Sequence, residues 1–223
     1  MKDKTILVTG SSRGIGRETA YQFAREKAKI VVTYCEDKIE AEKTYKKCLE
    51  LGATEALIVE LDVTDNDCIV NAVDEVIKKF DVVDILVNNA GVILWTPLKN
   101  QSFQEIENQT RTNLEGLIKV TKVCLPHVKD QIINIASIAG KTGFVDLTVY
   151  CATKFGIRGF TQALAKEEQT VKVYSINPDR TATRMTSFKG RSPEDVAKVI
   201  LNTAKGLYGL PSGSDIDVWE VIT

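Results

Sequence analysis

The chain has 223 residues, of which 43% are hydrophobic and 26% are charged, a composition typical of globular proteins. Lysine and arginine total 29 against 30 acidic residues, a net charge of −1, so charge indicates no nucleic-acid partner and no membrane partner. No apolar run approaches the roughly 18 residues of a membrane span, and the N-terminus resembles no secretory signal. With five scattered cysteines and one histidine, we expect reduced thiols, no metal site and a cytoplasmic location.

Short apolar segments alternate with helical segments along the chain. The predicted strands are near-continuous apolar runs, which is typical of strands buried on both faces of a parallel sheet. They lie at residues 4–9, 30–34, 56–61, 83–88, 131–137, 171–177 and 216–218. Among the helices between them, one begins at a cap formed by Asp65 or Asn66, and another at Ser192 followed by Pro193. This order predicts a single α/β domain over residues 1–223, a Rossmann fold with a doubly wound parallel sheet of about seven strands flanked by helices.

A glycine-rich segment, TGSSRGIG at residues 9–16, follows the first predicted strand. Its glycines permit a tight turn and a close approach of the backbone to a pyrophosphate, and the next helix offers free N–H groups to that anion. The alternative interpretation is a glycine-rich turn without a ligand. Because a strand precedes the segment and a helix follows it, we expect a nucleotide site here.

Tyr150 and Lys154 lie four residues apart and share one face of a predicted helix. An ammonium group beside a phenol favours the phenolate and lowers the pKa of the tyrosine, which can then exchange a proton with an alcohol or carbonyl oxygen. Such a pair is alternatively a surface feature. Ser137 ends an apolar strand at the sheet edge where ligands bind, so its hydroxyl is either a donor to a substrate oxygen or an ordinary turn serine.

Together these segments resemble the short-chain dehydrogenase/reductase family, and most closely its 3-oxoacyl-acyl-carrier-protein reductases. The loop at 9–16, Asp62 with Val63, the NNAG segment at 88–91, Asn113, and finally Ser137, Tyr150 and Lys154 occur in the family's order. The resemblance implies a catalytic tetrad of Asn113, Ser137, Tyr150 and Lys154. It implies cofactor binding by Gly10, Ser12, Arg13, Gly14, Ile15, Gly16, Tyr34, Asp62, Val63, Asn89, Ala90, Gly91, Tyr150, Lys154, Pro178, Thr181 and Thr183.

The resemblance also implies a role for each member of the tetrad. Tyr150 gives a proton to the carbonyl oxygen as hydride arrives from the nicotinamide, while Ser137 orients and polarises that carbonyl. Lys154 holds the cofactor ribose and lowers the pKa of Tyr150. Asn113 holds a water that relays protons from Lys154 to solvent. The cofactor supplies the hydride chemistry, and the protein supplies position and electrostatics.

The end of the second strand indicates NADP(H) rather than NAD(H). An NAD-preferring enzyme typically has an acidic residue there for the ribose 2′-OH, whereas this chain has Thr33, Tyr34 and Cys35. Arg13, in the glycine-rich segment, suits a 2′-phosphate, although a solvated loop charge is the alternative. Glu36 and Asp37 come next and would repel a phosphate if they turned inward.

The chain departs from the family's pattern after the sixth strand. Asp179 follows Pro178 where the family usually has glycine. We expect its carboxylate either to favour the oxidised nicotinamide or to point to solvent, and to be strained if the residue needs a positive φ. Few residues separate Thr183 from the helix near Pro193, so the substrate lid of larger relatives is shortened and the site is expected to be open.

Apolar residues on the flanking segments suggest a carbonyl substrate bordered by hydrocarbon. They are Leu94, Trp95, Ile138, Phe144 and Val145. We therefore expect a small-molecule or acyl-thioester carbonyl substrate. An alcohol or sugar dehydrogenase working oxidatively and a non-catalytic NADP-binding protein remain as alternatives. Helices near residues 113–125 and 150–164 have apolar residues on more than one side, which in this family predicts a homodimer or homotetramer.

Overall fold

A parallel sheet of seven strands, in the order β3-β2-β1-β4-β5-β6-β7, forms the centre of the computed structural model. The structure describes residues 1–222, so Thr223, the end of the predicted domain, lies outside the described residues. The strands are β1 (Thr5–Val8), β2 (Lys29–Tyr34), β3 (Glu55–Glu60), β4 (Val83–Asn88), β5 (Val128–Ile135), β6 (Lys172–Asn177) and β7 (Asp215–Asp217). The predicted Rossmann fold is confirmed.

Helices connect the strands and cover both faces of the sheet. They are α1 (Gly14–Arg25), α2 (Lys38–Glu50), α3 (Asn66–Phe80), α4 (Phe103–Thr110), α5 (Gly116–Cys124), α6 (Thr148–Glu167), α7 (Pro193–Ala204) and α8 (Val218–Val221). Asp65 caps α3 by accepting from the Cys68 N–H at 2.8 Å, and Ser192 caps α7, whose first residue is Pro193. Both predicted helix starts are therefore confirmed. Within residues 1–222, no helix combines the length and the apolar character needed to cross a membrane.

The predicted strand ends are wrong by a few residues in several places. The largest difference is in β5, which begins at Val128 because Val128 pairs with Val83 across an irregularity in the register. The same strand ends at Ile135, so Ser137 belongs to the following turn rather than to the strand. The last strand ends at Asp217 because α8 begins at Val218.

Alternate strand residues enter two separate apolar layers. In β1, Ile6 and Val8 pack in the layer that contains Phe23 of α1, whereas Leu7 packs in the layer that contains Ile69 of α3. Because both faces are covered, the three successive residues Ile6, Leu7 and Val8 are all apolar, rather than every second one. The two layers fix the carboxyl edge of the sheet, from which the loops of the site emerge.

The order of the strands reverses at β1, which lies between β2 and β4. In open α/β sheets, a crevice for ligands forms at the carboxyl ends of the strands at such a reversal. The glycine-rich segment follows β1, and the NNAG segment ends β4 and continues beyond it. The topology therefore places these two motifs side by side at the crevice.

A close approach between α5 and the segment after β3 generates a stability prediction. A Cβ at Gly116 would lie 2.6 Å from the Val63 carbonyl oxygen, so we expect Gly116→Ala to lower the free energy of unfolding by about 1–3 kcal/mol. Gly159 is exposed on α6, and a Cβ there would meet no atom within 4 Å, so Gly159→Ala should instead raise it by about 0.5–1 kcal/mol. Urea unfolding measures both, and an unchanged midpoint in Gly116→Ala would contradict this packing.

Candidate active site

Three glycines give the turn after β1 its shape. Gly10 and Gly14 have φ of +63° and +57°, in the left-handed region that side chains disfavour. A Cβ at Gly16 would lie 2.5 Å from the Gly10 carbonyl oxygen and 2.5 Å from Nδ2 of Asn89. The segment therefore needs glycine at each of these positions, as its interpretation as a nucleotide loop requires.

Side chains from the neighbouring strands hold this turn in place. The hydroxyl of Thr33 accepts from the Gly10 N–H at 2.9 Å. Nδ2 of Asn89 donates to the carbonyl oxygens of Thr9 and Gly10 at 2.9 and 3.1 Å, and the Thr9 hydroxyl accepts from the N–H groups of Asn89 and Ala90. The amide group of Asn89, predicted to contact a cofactor, is thus used to support the loop.

The N-terminus of α1 is open to an anion. Arg13 occupies the cap position in extended conformation and makes no capping hydrogen bond with its side chain. The N–H groups of the first turn, including those of Gly14, Ile15 and Gly16, have no intrahelical acceptor and lie at the positive end of the helix dipole. Such an end is suited to a phosphate group.

Arg17, which belongs to none of the predicted site residues, ties the glycine-rich loop to α2. Its guanidinium donates to the Ser12 carbonyl oxygen, at 3.0 Å from Nε and 2.5 Å from Nη2, and pairs with Glu40 at 2.5 Å. Nothing in the spacing of the sequence joins residues 17 and 40, so this contact becomes visible only when α1 packs on α2. Ser12 itself is buried, whereas Arg13 is exposed.

The residues predicted to lie near the adenosine are at the ends of β2 and β3. Asp62 accepts from the N–H and the hydroxyl of Thr64, both at 2.8 Å, and Val63 is buried. Tyr34 is half-buried at the end of β2. Asp37 caps α2 by accepting from the Glu40 N–H at 3.1 Å, so its carboxylate is directed at its own helix.

Ser137, Tyr150 and Lys154 converge where β5 ends beside α6. Ser137 is extended and its hydroxyl accepts from the Ala139 N–H at 3.1 Å. Lys154 is 5% exposed, and its ammonium donates to the Ile135 carbonyl oxygen at 2.9 Å and lies 5.6 Å from the centroid of the Tyr150 ring. The helix therefore brings the cation and the phenol together as their spacing predicted.

The expected lowering of the Tyr150 pKa is not what the site produces. Burial raises the pKa of Tyr150 to about 12, and the nearby Ser137 hydroxyl opposes this rise only in part. Burial also lowers the pKa of Lys154 to about 8. The sequence showed the cation beside the phenol but not the desolvation of both groups, which favours the neutral form of each.

Asn113 lies in a π-helical turn, Arg111–Glu115, between α4 and α5. Its Oδ1 accepts from the Val92 N–H at 2.7 Å, and its Nδ2 donates to the Val92 carbonyl oxygen at 2.8 Å and to the Thr153 hydroxyl at 3.3 Å. Both amide hydrogens are thus used to hold the loop after β4 against α6. A water held by Asn113 would have to donate to one of its oxygens.

A buried polar chain beneath the site was not predicted. Nδ2 of Asn88 donates to Asn134 Oδ1 and to the Thr121 hydroxyl, both at 2.9 Å, and Nδ2 of Asn134 donates to the Thr161 hydroxyl at 2.9 Å. These hydrogen bonds satisfy the buried Nδ2 donors of both amides and Oδ1 of Asn134. The chain fixes β5, and with it the Ile135 carbonyl oxygen, relative to β4, α5 and α6.

Asp179 adopts neither of the arrangements expected for it. Its φ is not positive, and its two carboxylate oxygens accept from Nε and Nη2 of Arg191 at 2.8 and 3.0 Å. The guanidinium neutralises the carboxylate, so Asp179 neither presents a free charge to a nicotinamide nor points freely to solvent. Pro178 and Thr181 are buried on either side of Asp179.

Exposed apolar side chains border the site. Trp95 is 52% exposed, Phe144 40% and Val145 85%, while Leu94 and Ile138 are half-buried.

The shortened lid contributes two more such side chains. Met185 and Phe188 are exposed, and Nε1 of Trp95 donates to the Met185 carbonyl oxygen at 3.4 Å. These two residues were missed because the path of the lid was not predictable from its sequence.

The chain matches known proteins over most of its length. The sequence profile of the family described as short chain dehydrogenase matches residues 4–194. The chain is 32% identical over 222 residues to an NADP-dependent 3-hydroxy acid dehydrogenase of Schizosaccharomyces pombe, with 89% of this chain and 85% of that protein covered. It is 35% identical over 191 residues to the 3-oxoacyl-[acyl-carrier-protein] reductase FabG of Staphylococcus epidermidis, with 83% and 78% covered.

Solved structures share the fold of this chain. A short chain dehydrogenase from Burkholderia cenocepacia J2315, in complex with NADP, superimposes with a TM-score of 0.90 at 25% identity, over 97% of this chain and 96% of that one. A dehydrogenase/reductase from Sinorhizobium meliloti 1021 gives a TM-score of 0.91 at 24% identity, over 97% and 94%. The chain therefore belongs to the short-chain dehydrogenase/reductase family of oxidoreductases, as its motifs predicted.

Proposed function

We propose that residues 1–223 form one cofactor-binding and catalytic domain that transfers a hydride between NADP(H) and a carbonyl or alcohol substrate. One observation carries the proposal: the buried ammonium group of Lys154 and the hydroxyl of Ser137 both lie beside the phenol of Tyr150. A phenol so placed is a proton donor for an oxygen entering the apolar cleft.

The residues at the crevice fit a dinucleotide phosphate. The turn at Gly10 and Gly16 has no room for a side chain, and the start of α1 is open to an anion. Arg13 is exposed at this end and suits a 2′-phosphate, while the carboxylate of Asp37 is engaged by its own helix. The NADP dependence of the Schizosaccharomyces pombe relative and the NADP bound to the Burkholderia cenocepacia protein support NADP(H) over NAD(H).

The proposed mechanism assigns one step to each residue of the tetrad. When bound, NADPH supplies the hydride. Tyr150 holds its proton at neutral pH, and burial raises its pKa further, so the phenol is available to protonate a carbonyl oxygen that Ser137 orients. The Lys154 ammonium stabilises the phenolate that remains. Asn113 positions the loop after β4, and an oxygen of this residue is the proposed acceptor for a relay water.

Reduction of a carbonyl uses Tyr150 as the proton donor, the form of the phenol that burial favours, whereas the oxidative alternative begins from the phenolate. The apolar border of the cleft and the short lid suit an acyl chain tethered as a thioester better than a sugar. The similarity to FabG adds support for a 3-oxoacyl thioester. Pairing of Asp179 with Arg191 also removes one reason to consider a non-catalytic NADP-binding protein.

We also propose a homodimer or homotetramer. Phe103, Ile118 and Phe155 are exposed on α4, α5 and α6 respectively. Large apolar side chains left exposed on neighbouring helices are typical of a surface that pairs with another protein.

Turnover of an acetoacetyl thioester, followed by the loss of NADPH absorbance, tests the mechanism. We expect Tyr150→Phe to lower kcat by roughly 10²- to 10⁴-fold, because the proton donor is lost, with the Kd for NADPH unchanged. Tyr45→Phe, a half-buried tyrosine on α2, is the control and should behave as the parent. Retained turnover in Tyr150→Phe would refute the assignment, and NADPH binding without turnover of any carbonyl would favour the non-catalytic alternative.

Cofactor preference is tested by isothermal titration with NADPH and NADH. We expect the parent to bind NADPH more tightly. Arg13→Ala should raise the Kd for NADPH by about tenfold, the loss of one charge-assisted contact, and leave that for NADH unchanged. Arg25→Ala, an exposed arginine at the end of α1, is the matched control. Equal affinity of the parent for the two cofactors would show that Arg13 does not read the 2′-phosphate.

We propose that burial of the charged Lys154, which the catalytic role requires, lowers the free energy of unfolding. The lysine is charged up to pH 10.5 in the unfolded chain but only up to about 8 in the folded one. The folded protein therefore binds fewer protons between these values, and stability rises with pH across them. Below pH 8, the buried charge destabilises the fold by about 3 kcal/mol.

Lys154→Met should accordingly be inactive yet more stable at pH 7, by about 1–3 kcal/mol. The gain should shrink between pH 8 and 10.5, as the parent's lysine loses its proton. Urea unfolding at pH 7 and pH 10 measures this gain in the free energy of unfolding. The control is Lys166→Met, because Lys166 is exposed on the same helix. A gain that does not change with pH would show that the buried charge is not its source.

A further inference from the structure

The segment 179–191, called here the clip, replaces the lid between β6 and α7. We infer that Asp179 and Arg191 are positioning residues: their ion pair closes the clip and holds Thr183 against the glycine-rich loop, which sets the affinity for the nicotinamide half of the cofactor. This inference rests on the proposed NADP(H) site.

The ion pair has a geometry that fixes the ends of the clip. Two parallel hydrogen bonds join the guanidinium of Arg191 to the carboxylate of Asp179, at 2.8 and 3.0 Å. The two side chains are only 21% and 29% exposed. Isolated surface pairs contribute little, but a two-point arginine–carboxylate contact that is partly shielded from water is directional and stronger.

The backbone closes at the same place. The Arg191 N–H donates to the Arg180 carbonyl oxygen and the Ala182 N–H donates to the Arg191 carbonyl oxygen, both at 2.8 Å. Gly190, with φ of +118°, permits this approach, because a Cβ there would lie 1.9 Å from the Arg180 oxygen. The ends of the clip are therefore closed by a backbone contact that needs glycine at position 190 and by the ion pair beside it.

The interior of the clip is internally bonded and strained. The Thr186 hydroxyl donates to the Thr181 carbonyl oxygen at 2.5 Å and accepts from the Thr183 N–H at 3.2 Å. Ser187 and Phe188 have φ of +52° and +58°, which is unfavourable for residues with side chains and above all for a bulky one. A loop of this conformation persists only when its surroundings hold it, and the closed ends do so.

The clip contacts the site on three sides. Cγ2 of Thr183 lies 3.3 Å from the position that a Cβ of Gly14 would take. The carbonyl oxygen of Pro178, the residue before the clip, accepts from the Ile138 N–H at 2.9 Å in the turn that carries Ser137. The Met185 carbonyl oxygen accepts from Trp95 across the cleft.

These contacts place the clip on one half of the crevice. It follows β6 and lies between the glycine-rich loop and the Ser137 turn, whereas β2 and β3 lie on the other side of β1. An adenosine at the ends of β2 and β3 is therefore remote from the clip, and the reacting half of the dinucleotide is adjacent to it. Because the ion pair is neutral overall, it positions Thr183 without adding net charge there.

The test compares a whole cofactor with its adenosine half. NADPH and adenosine 2′,5′-bisphosphate are titrated into the parent, Asp179→Asn, Arg191→Gln and the double variant. We expect each single variant to raise the Kd for NADPH by about tenfold, the double variant to add little more because the pair acts as a unit, and the Kd for adenosine 2′,5′-bisphosphate to stay unchanged. In turnover, KM for NADPH should rise more than kcat falls.

Two control variants are titrated with the same two ligands. Arg13→Ala should weaken the binding of both NADPH and adenosine 2′,5′-bisphosphate, because both carry the 2′-phosphate, in contrast to the clip variants. Glu26→Gln breaks a comparable half-buried pair, with Lys205 at 2.7 Å, between α1 and α7, and should change neither affinity. Asn has the shape of Asp, so the fold is expected to survive, and Arg191→Gln carries the same test from the other partner.

The outcomes separate this inference from the function on which it rests. A parent that binds neither NADPH nor the bisphosphate overturns the proposed cofactor site and this inference with it. A parent that binds NADPH, with variants that bind it equally well, overturns only the role of the pair. Variants that lose both ligands in proportion, with a lower Tm, would make the pair merely structural and would also overturn the inference.

Discussion

The ammonium group of Lys154 is buried, since only 5% of the residue is exposed, and much of the surrounding structure holds this group in place. A backbone carbonyl oxygen, that of Ile135, accepts from it. The paired amides of Asn88 and Asn134 fix the strand that supplies this oxygen. Since a carbonyl is a dipole rather than a charge, it orients the ammonium without neutralising it, and the ammonium lies 5.6 Å from the centroid of the Tyr150 ring.

The loops of the site are held by amide side chains that substitute for missing backbone partners. Asn89 satisfies the carbonyl oxygens of Thr9 and Gly10, and Asn113 bonds both polar backbone groups of Val92. Loops that leave a parallel sheet have no ladder to pair with, and an unpaired buried polar group is costly. Asparagine, with a donor and an acceptor on one short side chain, meets that need, so residues that look like ligand contacts in the sequence also build the scaffold.

The sequence was informative where structure is local and silent where it depends on distant partners. Continuous apolar runs identified the buried strands, and the spacing of Tyr150 and Lys154 placed them on one helix face. Their desolvation, which decides both pKa values, depends on how α6 packs against the end of β5 and is not encoded in spacing. The predicted start of β5 was wrong for the same reason, because Val128 becomes a strand residue only by pairing with Val83.

Asp179 illustrates how a departure from a family pattern depends on its partner. Considered alone, a carboxylate in place of glycine argues for a bias toward the oxidised nicotinamide. Arg191, brought back by the turn at Gly190, neutralises that charge and uses it to close a shortened lid. With no net charge left from this pair, Asp179 no longer argues for either direction of hydride transfer. The substitution therefore alters how the active site is held in shape rather than which reaction its residues are arranged to perform.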